Sequence, residues 1–110
     1  GGPVAAKGAP KPQVWKDLKA VKTMSELTDR IASLTDHEKS GCLLYAIYEK
    51  ADNSRIIEAL APATNAMEGD HMKELMRLAS GSALDKGNVE AFRTSGAPVA
   101  TSLSIILDMV

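Results

Sequence analysis

Disulfide cross-linking is closed to this chain. Its single cysteine, Cys42, cannot pair internally, so folding does not depend on oxidation. Aromatics are almost as scarce: one Trp, one Phe and two Tyr serve 110 residues. Leu, Ile, Met, Ala and Val must then fill the core, a composition that suits helices better than sheets, because strands draw on aromatic and β-branched side chains. No apolar run nears the roughly 18 residues that cross a bilayer, and no secretory leader is recognisable. These absences point to a cytoplasmic or nuclear protein. Phosphate-cradling loops of the G-x-x-x-x-G-K or G-x-G-x-x-G type are missing too, as is a G-x-S-x-G nucleophile elbow.

What is present is a basic start on an acidic body. Net charge is −1, yet Lys7, Lys11, Lys16, Lys19 and Lys22 face one acid, Asp17, over residues 1–22. Residues 1–13, "GGPVAAKGAPKPQ", hold three of the five prolines and no periodic apolar face. They read as a flexible or polyproline-like linker, with Gly1 and Gly2 as a cloning remnant and the chain as part of a longer protein. Residues 14–110 read as one helical domain. An asymmetric basic arm suggests an anionic partner, or serves only to solubilise a linker.

From Val14 the spacing is helical. Val14, Trp15, Leu18 and Val21 share one face, with Lys16, Lys19 and Lys22 opposite. Thr23 and Glu26, then Thr35 and Glu38, carry the T-x-x-E spacing of capping boxes. The second pair opens a helix to about Ala51 whose "CLLYAIY" is apolar almost all round, the mark of a helix enclosed by others. "DNS" introduces a short helix with Ile56, Ile57 and Leu60, ended by Pro62. Asp70 is expected to cap the next, with Met72, Leu75, Met76 and Ala79 inward and Gly81 as the stop. Asn88 is expected to cap a short helix with Val89 and Phe92. Pro98 suits the first turn of the last, whose inner face is Val99, Leu103, Ile106, Leu107 and Val110. The sum is an all-α, compact single-domain bundle of about six or seven short helices, without strands.

Chemistry-bearing residues are few. Cys42 with His37 or His71 has the makings of a nucleophile and base. Reactive cysteines, however, sit at helix starts or exposed loops, and Cys42 lies inside an apolar helix, where it reads as packing. Glu68 to His71 has the E-x-x-H spacing of di-iron bundles, but no second such pair accompanies it. No catalytic residue, metal or cofactor is therefore assigned. The terminal "DMV" resembles a C-terminal peptide ligand, although Leu107 and Val110 continue an apolar face and favour a docked end.

Binding is the reading that remains. Trp15 either staples the first helix to the bundle or stands exposed as an anchor. Met67, Met72 and Met76 group at one corner as an adaptable apolar surface. Lys11, Lys16, Lys19 and Lys22 suit weak, salt-sensitive RNA contact, without interleaved aromatics for sequence reading. A protein partner or self-association fits the rest.

The pieces "DHEKSGCLLYAIYEK", "MKELMRLASGSALDKGNVEAF" and "ATSLSIILDMV", with the Asp85-Lys86-Gly87 turn ahead of Glu90-Ala91, resemble the helical C-terminal domain of filovirus transcription activators. They are similar, more broadly, to polymerase-cofactor modules of negative-strand RNA viruses. The resemblance covers about two thirds of the chain and lacks that family's zinc-finger segment and most of its basic cluster. It implies nucleoprotein or RNA binding and self-association in transcription and replication, without catalysis. Three function classes follow: a protein-interaction domain, an RNA-binding domain using the basic arm, or a small enzyme or metal protein using Cys42, His37 and His71.

Overall fold

The computed structural model describes residues 13–108, and these form seven α-helices and one 3₁₀ turn, with no strand among them. The helices are α1 (Gln13–Ala20), α2 (Met24–Ala32), α3 (Asp36–Tyr48), α4 (Ser54–Leu60), α5 (Gly69–Ser80), α6 (Lys86–Arg93) and α7 (Pro98–Leu107), with the 3₁₀ turn at Ala61–Ala63. The linker assigned to residues 1–13, including Lys11, lies outside the described residues up to position 12, as do Met109 and Val110 of the terminal peptide.

Local sequence starts the helices. Thr35 Oγ1 accepts the Glu38 N–H at 3.1 Å and Glu38 Oε1 accepts the Thr35 N–H at 2.9 Å, so the capping box of α3 closes both ways. At α2 only half of the device forms: Thr23 Oγ1 accepts the Glu26 N–H at 3.2 Å, while the Glu26 carboxylate faces Arg30 at 3.7 Å one turn on. Pro98 takes the first turn of α7, where its missing N–H costs nothing. Gly96, at φ +73°, supplies the left-handed residue that turns the chain from α6 into α7.

Packing puts α3 at the centre, against α1, α4, α5 and α6. Ser40, Cys42, Leu43, Leu44, Ala46 and Ile47 are all buried, and the two tyrosines half-buried. The seven-residue α4 is nearly as central, touching α2, α3 and α6 through Ile56, Ile57 and Leu60. Helix α7 closes the other side on α5, α6 and the 3₁₀ turn.

Four sequence expectations shift. Helix α3 ends at Tyr48, not near Ala51, because the Glu49 and Ala51 carbonyls accept from the Asn88 side chain instead of from a further helical turn. Asn88 is not a cap. That place belongs to Asp85, whose Oδ2 accepts the Asn88 N–H at 3.0 Å. Helix α5 begins at Gly69, so Asp70 lies in its first turn, with Glu68 at the N-cap position and no side-chain cap bond. The buried face of α5 is Leu75, Leu78 and Ala79, and Met76 points outward.

Candidate functional site

The two histidines, separated by 34 positions in sequence, meet where α5 lies on α3. His37 stands in the first turn of α3 and His71 in the first turn of α5, their ring centroids 4.5 Å apart and tilted by 40°. His71 Nδ1 is 2.6 Å from Ser40 Oγ, and the Ser40 hydroxyl lies 3.1 Å from the His37 carbonyl oxygen, to which it can donate. Gly41 makes the approach possible: a Cβ built on it would stand 3.2 Å from His71 Nε2 and 3.3 Å from Cε1. Two consecutive small residues in a bulky apolar helix thus let an imidazole rest against the helix itself.

Electrostatics favour a neutral ring there. Burial foremost, then the charge of His37, holds the His71 imidazole below its ordinary value of 6.5, while Glu68 and Asp70 pull the other way. A serine bonded to a histidine is the first half of a nucleophile–base arrangement. The Ser40 hydroxyl, however, is fully buried, and the serine and imidazole are engaged with each other across the helix pair. What this geometry does is join two helices. Next to it, a shallow cleft of about 180 Å³ opens between Asp36 and Lys39 of α3 and the loop from Thr64 to Glu68. That is below the roughly 300–1,000 Å³ of drug-sized ligand pockets.

Cys42 takes no part in the pair. It is buried in the core, and burial, with the Glu38 charge behind it, pushes its thiol up to about 12. Such a sulfur stays protonated and covered. Among the described residues no group of three or more His, Cys, Asp or Glu side chains could hold a metal ion. The E-x-x-H spacing brings Glu68 and His71 together without further ligands, and His71 Nδ1 is already bonded to Ser40.

Trp15 proves to be the staple and not the exposed anchor. It is fully buried. Its Nε1–H donates to Glu49 Oε2 at 3.3 Å, and its ring stacks on Tyr45 at 6.0 Å. Tyr45 in turn meets Tyr48 edge-on at 5.3 Å. Burial is the main reason both phenols ionise late, Tyr48 only at about 12. Lys19 is committed to the same knot, ion-paired with Glu49 and 5.7 Å above the Trp15 ring. Lys16 and Lys22 remain exposed, and neither is ion-paired among the described residues. The methionine corner loses Met67 to the core and keeps Met72 half-buried and Met76 44% exposed.

Two features are missing from the candidate residues that the sequence offers. One is the Asn88 hub. Its Oδ1 accepts the Asn53 N–H at 3.0 Å, and its Nδ2 donates to the carbonyls of Glu49 at 3.0 Å and Ala51 at 2.8 Å. The other is Ile105, 72% exposed on α7. Periodicity faces Ile106 inward correctly, so the outward Ile105 was legible as a remainder. The partners of Asn88 lie more than a helix length away in sequence, and no local signal marks them.

Comparison of the chain with protein-family models, with curated proteins and with solved structures finds no match. No helix of the described residues is long and apolar enough to cross a membrane.

Proposed function

We propose that this is a non-catalytic protein-interaction domain of a longer cytoplasmic or nuclear protein, and that its contact surface is the outer side of α7, with the neighbouring Met72 and Met76 of α5. The observation that carries the reading is the composition of α7. Its ten residues include no charged side chain, yet Pro98, Thr101, Ser102 and Ile105 are exposed. In a chain that is 25% charged, an uncharged exposed helix has the make-up of an interface core, where charge is depleted and an apolar anchor inserts. Met76 supplies an adaptable side chain on the helix that packs beside it. The resemblance to viral polymerase-cofactor modules suggests a nucleoprotein as partner.

The test is Ile105→Glu, with unchanged helical circular dichroism as the check on folding. Binding to a nucleoprotein, and self-association by concentration-dependent light scattering, are each measured beside wild type. The expected outcome is at least about a tenfold loss in one of them, as when a charge replaces a buried apolar anchor. Wild-type association that survives the substitution intact defeats the assignment of α7.

The second reading, weak RNA contact, is supported by the exposure of Lys16 on α1 and of Lys22 in the connection that follows it. Affinity then falls steeply with salt, and Lys16→Ala with Lys22→Ala flattens that slope by about two charges' worth. A slope unaffected by both substitutions removes α1 from the RNA reading.

A further inference from the structure

From the contact of His37, Ser40, Gly41 and His71 we infer that the α3–α5 joint is an acid-sensitive latch: a neutral His71 imidazole holds the first turn of α5 on α3, and its protonation releases it together with the loop at 64–68. The neutral arrangement satisfies its polar groups. With the His71 proton on Nδ1, that N–H donates to Ser40 Oγ at 2.6 Å, and the Ser40 hydroxyl donates to the His37 carbonyl at 3.1 Å. The Nε2 lone pair faces Gly41, where even a methyl group would sit at 3.2 Å.

Protonation places the second proton on Nε2, against Gly41, on a ring whose centroid is 4.5 Å from the other imidazole. No hydrogen-bond acceptor for that N–H is found among the described residues. The charge so formed on His71 is half-buried beside the exposed His37 ring, in the first turn of α5, at the positive end of a helix, where cations are disfavoured.

The other charges around the pair are few. On α3 they are Asp36, Glu38 and Lys39, and on α5 and its approach Glu68 and Asp70, with Lys73 and Glu74 further along. Helix α7, which also packs on α5, has no titratable side chain between Pro98 and Leu107. Glu68 and Asp70 soften the repulsion without cancelling it, since the His71 imidazole still loses its proton more readily than a free one.

The direction with pH follows. A group whose folded value is depressed binds protons better in the released state. The latch is therefore fully held above about pH 6.5, weakens as pH falls below it, and levels off once the closed form is protonated too. This sensitivity is independent of which partner α7 binds.

Amide hydrogen exchange of the full chain tests it, after correction for the intrinsic pH dependence of exchange. Between pH 7.5 and 5.5, residues 64–76 should lose protection by about fivefold or more, while residues 42–48 in the core should not. His71→Gln, which can still bond Ser40 but does not titrate, should abolish the loss. In His37→Ala, which removes the repulsion, the His71 ring NMR signal should titrate at higher pH than in wild type. Equal protection of 64–76 at the two pH values overturns the latch, as does a loss that persists in His71→Gln or a His71 midpoint that fails to rise in His37→Ala.

Discussion

The two ends of α3 are fastened by different chemistry. At the C-terminal end, Asn88 threads three hydrogen bonds into the turn after the helix, Asn53 Nδ2 donates to the Ala46 carbonyl at 3.2 Å, and Trp15 lies buried against Glu49 and Tyr45. At the N-terminal end, one imidazole rests on Ser40 and Gly41 beside another imidazole. The first fastening uses amides and an indole, which do not titrate, with the Glu49 carboxylate as the indole's acceptor. The second uses an imidazole that does. One helix can thus be held firmly at one end and conditionally at the other.

The comparison can be broken at its strong end first. Trp15→Ala removes the largest fully buried side chain and should cost about 3–5 kcal/mol in urea unfolding. A cost near 1 kcal/mol would mean that α1 is not stapled by this ring. Asn88→Ala comes next, at about 1–3 kcal/mol, because it strands the buried Asn53 N–H and takes the side-chain donor from the Glu49 and Ala51 carbonyls, of which the first keeps the Ala51 N–H. Its penalty should be the same at pH 7.5 and 5.5, and a penalty that changes with pH would erase the contrast between the ends. His71→Gln should cost about 1 kcal/mol at pH 7.5, and the gap from wild type should narrow at pH 5.5, where the wild-type joint is itself weakened.

Smaller effects sharpen the picture. Gly41→Ala sets a gain of about 1 kcal/mol in helix propensity against crowding of His71, so net stability should move by less than about 1 kcal/mol while the His71 ring signals shift. Unshifted signals would put the imidazole elsewhere. Lys19→Ala removes a partly buried ion pair and a cation–π contact, worth together about 0.5–1 kcal/mol and diminished by salt. Cys42 should react with a thiol reagent at pH 8 only at the rate of unfolding, since its sulfur is covered and protonated. Rapid labelling of the native chain would contradict that burial.

The sequence makes legible whatever depends on near neighbours along the chain. Thr35 and Glu38, three residues apart, announce the start of α3, and Pro98 announces α7. The apolar run from Cys42 to Tyr48 announces a helix with neighbours on all sides. The face of α5 is less secure. Met72, Leu75, Met76 and Ala79 make one acceptable stripe and Leu75, Leu78 and Ala79 another, and docking against α3 selects the second. Asp70 and Asn88 are good capping types, but the N-cap positions fall two and three residues upstream of them, at Glu68 and Asp85. Of the candidate binding residues, Lys16, Lys22 and Met76 keep their exposure, whereas Trp15 is buried and Lys19, though exposed, is engaged with Glu49 and the Trp15 ring.

By itself, then, the sequence determined that this chain is all-helical, roughly where its helices start, and that α3 forms the axis, because caps, prolines and a 3.6-residue period act over one or two turns. Tertiary structure alone decided that Trp15 turns inward, that Asn88 bridges to a turn 35 to 39 positions away, and that His37 meets His71. Those outcomes depend on which helix faces which, and that is settled by the burial of whole apolar faces and not by any short spacing of residues.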